Sequence, residues 1–162
     1  MSRLRRALSR LMPTHHTQPV GTVPDAAAGA AGTAGDGVSY APRADGQPDP
    51  GEVVWGWVPY EDDATQGKDR PVLLLGRRGD RWLGLMLTSQ DHDHDAADEA
   101  RHGRYWMDVG AGAWDRERRP SEVRLDRLLE LDPASIRREG AALPREVFDA
   151  VLVEARRFHD LG

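Results

Sequence analysis

Asp91-His92-Asp93-His94-Asp95 is the stretch in which side chains able to do chemistry stand closest together. Imidazole and carboxylate alternate, and in an extended segment His92 and His94 share a face, a pattern suited to a divalent cation. Asp98 and Glu99 follow close behind. The whole run reads better as a solvated acidic loop, so no metal and no cofactor is assigned. His102 supplies a general base if that loop folds inward. Trp55, Trp57, Trp82, Trp106 and Trp114 offer faces for stacking unpaired bases. Most of them are expected in the core or a subunit interface, with Trp114, in a glycine-flanked stretch, the most exposed. Arg78-Gly79-Asp80 reads as a turn. Taken alone, Arg70 is a surface residue before Pro71 with Asp69 or Glu61 in reach for an ion pair, and Thr88 is an ordinary strand-end threonine. The chain has no cysteine, which excludes disulfides, thiolate zinc sites and a cysteine nucleophile.

The elements that must position these residues begin at Gly51. Glu52 to Val58 is rich in β-branched and aromatic residues and reads as a strand ending before Pro59. Pro71 to Gly76 and Trp82 to Thr88 are apolar runs joined by the turn signal Arg77-Arg78-Gly79-Asp80, which makes them a hairpin. Gln90 to Gly103 is a polar loop; Tyr105 to Val109 and Glu122 to Leu131 read as further strands. Asp132-Pro133 is suited to capping and starting a short helix that ends near Gly140. From Pro144 onward, Val147, Phe148, Val151, Leu152, Ala155 and Phe158 recur at helical spacing and predict a C-terminal amphipathic helix. About five strands with appended helices suit a mainly β fold, a small SH3-like barrel, and there is no βαβ pattern to support a parallel sheet.

The 162 residues fit one domain, taken as 51–162 behind a tail, 1–50. Thr14 to Pro50 is dominated by Gly, Ala, Pro, Asp and Thr, and too little apolar surface is available there to offset chain entropy, so it reads as disordered. Within residues 1–12, Leu4, Leu8 and Leu11 at helical spacing among Arg3, Arg5, Arg6 and Arg10 suggest a short basic amphipathic helix, a membrane-surface contact or nucleic-acid arm, against the plainer reading of a frayed tail. No apolar run is long enough to span a bilayer, so integral membrane association is not expected. The net charge of −5 counts against phosphate binding by the molecule as a whole, but not against a local arginine groove.

Three stretches, in this order and spacing, resemble the PemK/MazF toxins: Gly51-Glu52-Val53-Val54-Trp55, then Gln66-Gly67-Lys68-Asp69-Arg70-Pro71-Val72-Leu73, then Leu87-Thr88-Ser89-Gln90. The pattern Leu128, Leu131, Asp132 and the C-terminal helix also look like that family's last strand and helix, so the resemblance covers about Gly51 to Phe158. It implies an SH3-like barrel, usually a homodimer in the cytoplasm, that cleaves single-stranded RNA without a metal and is blocked by a cognate antitoxin, with operator DNA reached through the antitoxin complex. By the same resemblance Arg70 takes the place of the catalytic arginine and Thr88 that of the catalytic threonine, with Gln66, Gly67, Lys68, Ser89 and Gln90 beside them as substrate-binding residues. One departure stands out: where the family's loop usually reads Ser-Glu-Gln-Gly, this chain has Ala64-Thr65-Gln66-Gly67 and lacks the glutamate.

RNA cleavage by its own 2′-hydroxyl requires activation of that oxygen, stabilisation of charge on the phosphate and protonation of the departing 5′-oxygen. Arg70 suits the second task, Thr88 could add a donor, and neither is a base near neutral pH. The alternative, favoured by the acidic balance and the missing loop glutamate, is a non-catalytic member binding nucleic acid or protein.

Overall fold

The computed structural model describes residues 36–91 and 95–162. The proposed N-terminal helix, and His92, Asp93 and His94, lie outside them. Eight strands and two helices follow in the order β1 (Gly37–Val38), β2 (Glu52–Pro59), β3 (Gly67–Arg78), β4 (Arg81–Thr88), α1 (Ala96–Arg101), β5 (Trp106–Gly110), β6 (Ser121–Arg124), β7 (Leu129–Leu131), β8 (Ile136–Ala142) and α2 (Arg145–Ala155). All pairings are antiparallel. The sheet runs β5-β6-β4-β3-β2-β8, with β1 added to β3 and β7 to β4. The mainly β, antiparallel class expected from the sequence is the one observed.

Two strands do double duty, and this is what curls the sheet. β4 pairs with β7 through Trp82 to Gly84 and with β6 through Leu87 and Thr88. β3 pairs with β2 through its first half and with β1 through Gly76 and Arg77, with a register break between Leu74 and Gly76. Alternating side chains along the strands then fill two cores. One gathers Val53, Leu73, Leu85, Leu87 and Val123 under Phe148, Val151 and Leu152 of α2. The other gathers Val54, Val58, Val72, Leu74 and Met86 on the opposite face with Trp82, Leu129 and Leu131.

The structure departs from the sequence expectations at five places. The polar loop after β4 contains the single-turn-and-a-half helix α1, without a buried residue. Glu122 to Leu131 is two strands, because the chain turns at Asp126, whose carboxylate accepts the Tyr105 N–H at 2.8 Å. Asp132 does cap Ala134 at 2.9 Å and Pro133 does open a turn, but only a 3-10 turn, Pro133–Ser135, forms. The chain then becomes β8, where β2 offers pairing from Gly56↔Ile136 to Glu52↔Ala142. Gly140 lies so close to β2 that a Cβ there would overlap the Val53 carbonyl. Trp114 is buried, not exposed. Finally, residues 36–50, assigned to the tail by composition, carry β1 and strap the barrel: the Tyr40 ring packs against Phe148, tilted by 55° with centroids 5.1 Å apart, and its hydroxyl donates to the Leu143 carbonyl at 2.7 Å. The few large apolar residues of that segment, Val38 and Tyr40, are the ones that dock.

Candidate functional site

Arg70 is held on β3 opposite Gly56 of β2, and Thr88 ends β4 opposite Glu122 of β6. The β3–β4 register pairs Val72 with Met86 and Leu73 with Leu85. Arg70 and Thr88 each lie two residues beyond the first of these pairs, at adjoining ends of the two strands. They line a common cleft of about 210 Å³ together with Lys68, Ser89, Asp115 and Arg119. Its floor is fixed by indole hydrogen bonds: Trp55 Nε1 donates to the Trp114 carbonyl at 2.8 Å, and Trp114 Nε1 to Ser121 Oγ at 3.2 Å. This explains why Trp114 is inside: its ring packs on the backbone of Gly112, where a Cβ would overlap it.

Four of the seven residues assigned to the site from sequence thus come together: Arg70, Thr88, Lys68 and Ser89. Gln66, Gly67 and Gln90 do not line the cleft. Gln66 ties down the preceding turn, its Nε2 donating to Asp63 Oδ2 at 3.0 Å and its carbonyl accepting the Tyr60 N–H at 2.9 Å. Gly67 is a close approach between strands, since a Cβ would come within 2.3 Å of the Val58 carbonyl. Gln90 contributes its backbone N–H, which donates to Thr88 Oγ1 at 3.2 Å. That bond occupies a lone pair of the threonine hydroxyl and leaves its proton to be given outward. His102 is exposed at the end of α1 with Nδ1 2.8 Å from the Asp98 carbonyl, and it does not line the Arg70–Thr88 cleft.

Arg70 lacks the ion pairs expected for a surface arginine. Asp69 turns to Arg137 at 3.3 Å, and Glu61 turns to Arg124 at 2.7 Å. Among the described residues Arg70 has no carboxylate partner, it is half-buried, and burial pulls its pKa below the usual arginine value, with Tyr60 opposing and Arg127 adding to the fall. A guanidinium stays protonated at any physiological pH. It is a desolvated cation facing a cleft. On the far wall, Arg119 Nε donates to Asp115 Oδ2 at 2.7 Å, and this hydrogen bond holds the nearly buried Asp115 carboxyl below the ordinary range. The sequence reading missed Asp115 and Arg119. The run Arg116, Arg118, Arg119 beside Asp115 was the available signal, but only the fold shows that the loop turns onto the β3–β4 seam. Among the described residues no cluster of three or more metal-ligating groups occurs.

The family model for the PemK-like, MazF-like toxin of type II toxin-antitoxin systems matches residues 49–158. The chain belongs to that family. A MazE–MazF crystal structure (Form-II) from Deinococcus radiodurans is similar to it, with 20% identity over 68% of this chain and 93% of the solved chain, at a TM-score of 0.47. No curated protein matches. The span matched to the PemK/MazF toxins takes in every residue of the Arg70–Thr88 cleft and leaves β1 and most of the strap that follows it outside. No helix among the described residues is long and apolar enough to cross a membrane.

Proposed function

We propose that this chain is a toxin endoribonuclease that cleaves single-stranded RNA by attack of the RNA's own 2′-hydroxyl, without a metal. The observation that carries the reading is the unpaired, half-buried Arg70 sharing a cleft with Thr88. As the scissile phosphate gains charge, the Arg70 fork presents two donors to its oxygens and the Thr88 hydroxyl gives a third. Such donors act most strongly where water is displaced, which favours a half-buried arginine over a fully solvated one. Lys68 and Ser89, on the same rim, supply a point charge and a hydroxyl for neighbouring phosphates. Asp115 is a weak base, because Arg119 stabilises its ionised form. The residues gathered here therefore do charge stabilisation.

The family's setting adds a cognate antitoxin protein that covers the cleft, a cytoplasmic location, a homodimer, and operator DNA reached only through the antitoxin complex. A second reading, a non-catalytic module binding nucleic acid or protein, draws on one local feature. Where the family places the loop glutamate, Thr65 spends its hydroxyl on Asp63 Oδ1 at 2.6 Å. Induced expression separates the two readings. Wild type should slow growth and fragment cellular RNA, and Arg70→Ala should do neither; a wild type that binds RNA and leaves it whole favours the binding module.

A further inference from the structure

Arg70 also lines a second cleft, of about 390 Å³, which Thr88 does not line. Tyr60, Glu61, Arg104, Arg124 and Arg127 form its walls with Asp62 at the rim. Four arginines in one cleft need anions, and the structure shows which already have them. Arg124 donates to both oxygens of Glu61, at 2.7 and 2.9 Å, and to Asp126 at 2.8 Å. Arg104 is held by both oxygens of Glu99, at 2.6 and 3.0 Å. Arg127 has only a carbonyl: its Nη2 donates to Pro59 O at 2.8 Å. Among the described residues neither Arg127 nor Arg70 makes an ion pair, although both are half-buried and Asp62 stands exposed nearby. Two partly desolvated cations open on one cavity, while Glu61 and Asp126 bond Arg124 and act on Arg127 only through space, so the cavity is suited to taking a further anion. Burial lowers the pKa of each; Arg127 lowers that of Arg70 further, and Glu61 partly offsets the fall for Arg127.

We propose that this cleft binds the phosphate of a nucleotide next to the scissile one, with Arg127 as its dedicated ligand and the exposed Tyr60 ring as the face on which that nucleotide's base stacks. The inference rests on the RNA reading above and extends it to a second subsite. Arg70, common to both clefts, then bridges consecutive phosphates of one strand and fixes the register in which the RNA enters. Tyr60 is 39% exposed at the mouth of the cleft, and stacking on an aromatic face tolerates any base. A continuous single strand supplies both the phosphate and the base, whereas an acidic peptide supplies only the charge.

The test uses the whole chain and a mixed-sequence 2′-O-methyl oligoribonucleotide, which cannot be cleaved by its own sugar. Its affinity is measured against salt for wild type, Arg127→Gln, Arg127→Lys and Tyr60→Ala. Loss of one phosphate contact should reduce the slope of log affinity against log salt by about 0.7 for a single strand in Arg127→Gln, and Arg127→Lys should restore it. Tyr60→Ala should weaken binding about 5- to 160-fold with the slope unchanged. On cleavable RNA, Arg127→Gln should raise KM and keep kcat. Arg127→Gln also loses the Nη2 bond to the Pro59 carbonyl, so some fall in Tm is expected, and the salt slope with its rescue by Arg127→Lys is the readout that a structural role would not move. An unchanged slope in Arg127→Gln, with wild type still binding and cutting RNA, overturns the subsite and leaves the ribonuclease reading intact. Wild type that binds an acidic peptide through Arg127 but not the oligoribonucleotide overturns both.

Discussion

Replacing Arg124 by methionine removes a side chain that joins β6 to the loop after β2 and to the turn after β6. Its side chain is only 7% exposed, and its guanidinium meets Glu61 and Asp126 while lying 6.0 Å from the centre of the Trp106 ring. Methionine fills similar space, so the loss is mainly of hydrogen-bonded charge. Glu61 is half in water and contributes little, about 0–1 kcal/mol as an exposed pair. Asp126, at 12% exposure, is left with the Tyr105 N–H alone, and stranding a buried partner costs about 3–5 kcal/mol. The lower end, about 3 kcal/mol, is expected, a fall in Tm on the order of 10 °C for a domain this size. Urea unfolding at pH 7 measures it as a shift in midpoint at constant slope, with Glu61→Gln as a control costing no more than about 1 kcal/mol. The hydrogen bond from Arg124 pushes the Glu61 pKa below the ordinary glutamate value. Its contribution is therefore complete above the unfolded-state pKa and lost as pH falls through the lower folded value, so the gap between wild type and variant should narrow in acid by up to about 1 kcal/mol. An Arg124→Met protein within about 1 kcal/mol of wild type at pH 7, or a gap that stays constant into acid, would refute this reasoning.

Three further outcomes follow from particular contacts. Tyr40→Phe removes the hydroxyl bond to the Leu143 carbonyl and should cost about 1 kcal/mol in urea unfolding, showing that residues before Gly51 belong to the cooperative unit. Gly76→Ala sets a Cβ within 1.9 Å of the Gly37 carbonyl and should expose the Ser39 amide, bonded to Leu75 O at 3.0 Å, to hydrogen exchange while the β2–β3 amides stay protected. Burial raises the pKa of Glu52, with the adjacent Asp49 carboxylate adding to it, so the folded state binds this proton more tightly than the unfolded chain. Glu52→Gln should therefore raise Tm at pH 7, and the advantage should shrink as pH falls through the raised value and wild type takes up its proton.

The strands were legible where burial imposes alternation or a continuous apolar run, as in Glu52 to Val58 and Trp82 to Thr88, and the C-terminal helix was legible from the spacing of Phe148, Val151, Leu152 and Ala155. β8 was not, because Asp132 and Pro133 give a genuine helix start and the competing force, pairing with β2, is non-local. Tyr40 was passed over because composition averaged across 14–50 hides a single anchoring ring. Around the site, the motifs named Arg70, Thr88, Lys68 and Ser89, but the partners that leave Arg70 unpaired lie far away in sequence. Arg124 takes Glu61 from 63 residues off, and Arg137 of β8 takes Asp69 of β3 across β2. Arg127 gave no signal as a ligand for the same reason: its isolation depends on Arg124 having claimed the nearby acids.

The most direct test of the central claim is incubation of purified protein with mixed-sequence single-stranded RNA in EDTA, comparing wild type with Arg70→Ala. Wild type should cut the RNA and leave 2′,3′-cyclic phosphate ends, and Arg70→Ala should be slower by roughly 100- to 1,000-fold, the usual effect of removing one preorganised oxyanion donor. RNA cut equally by both proteins, or left intact by both while wild type still binds it, would contradict a ribonuclease whose chemistry rests on Arg70.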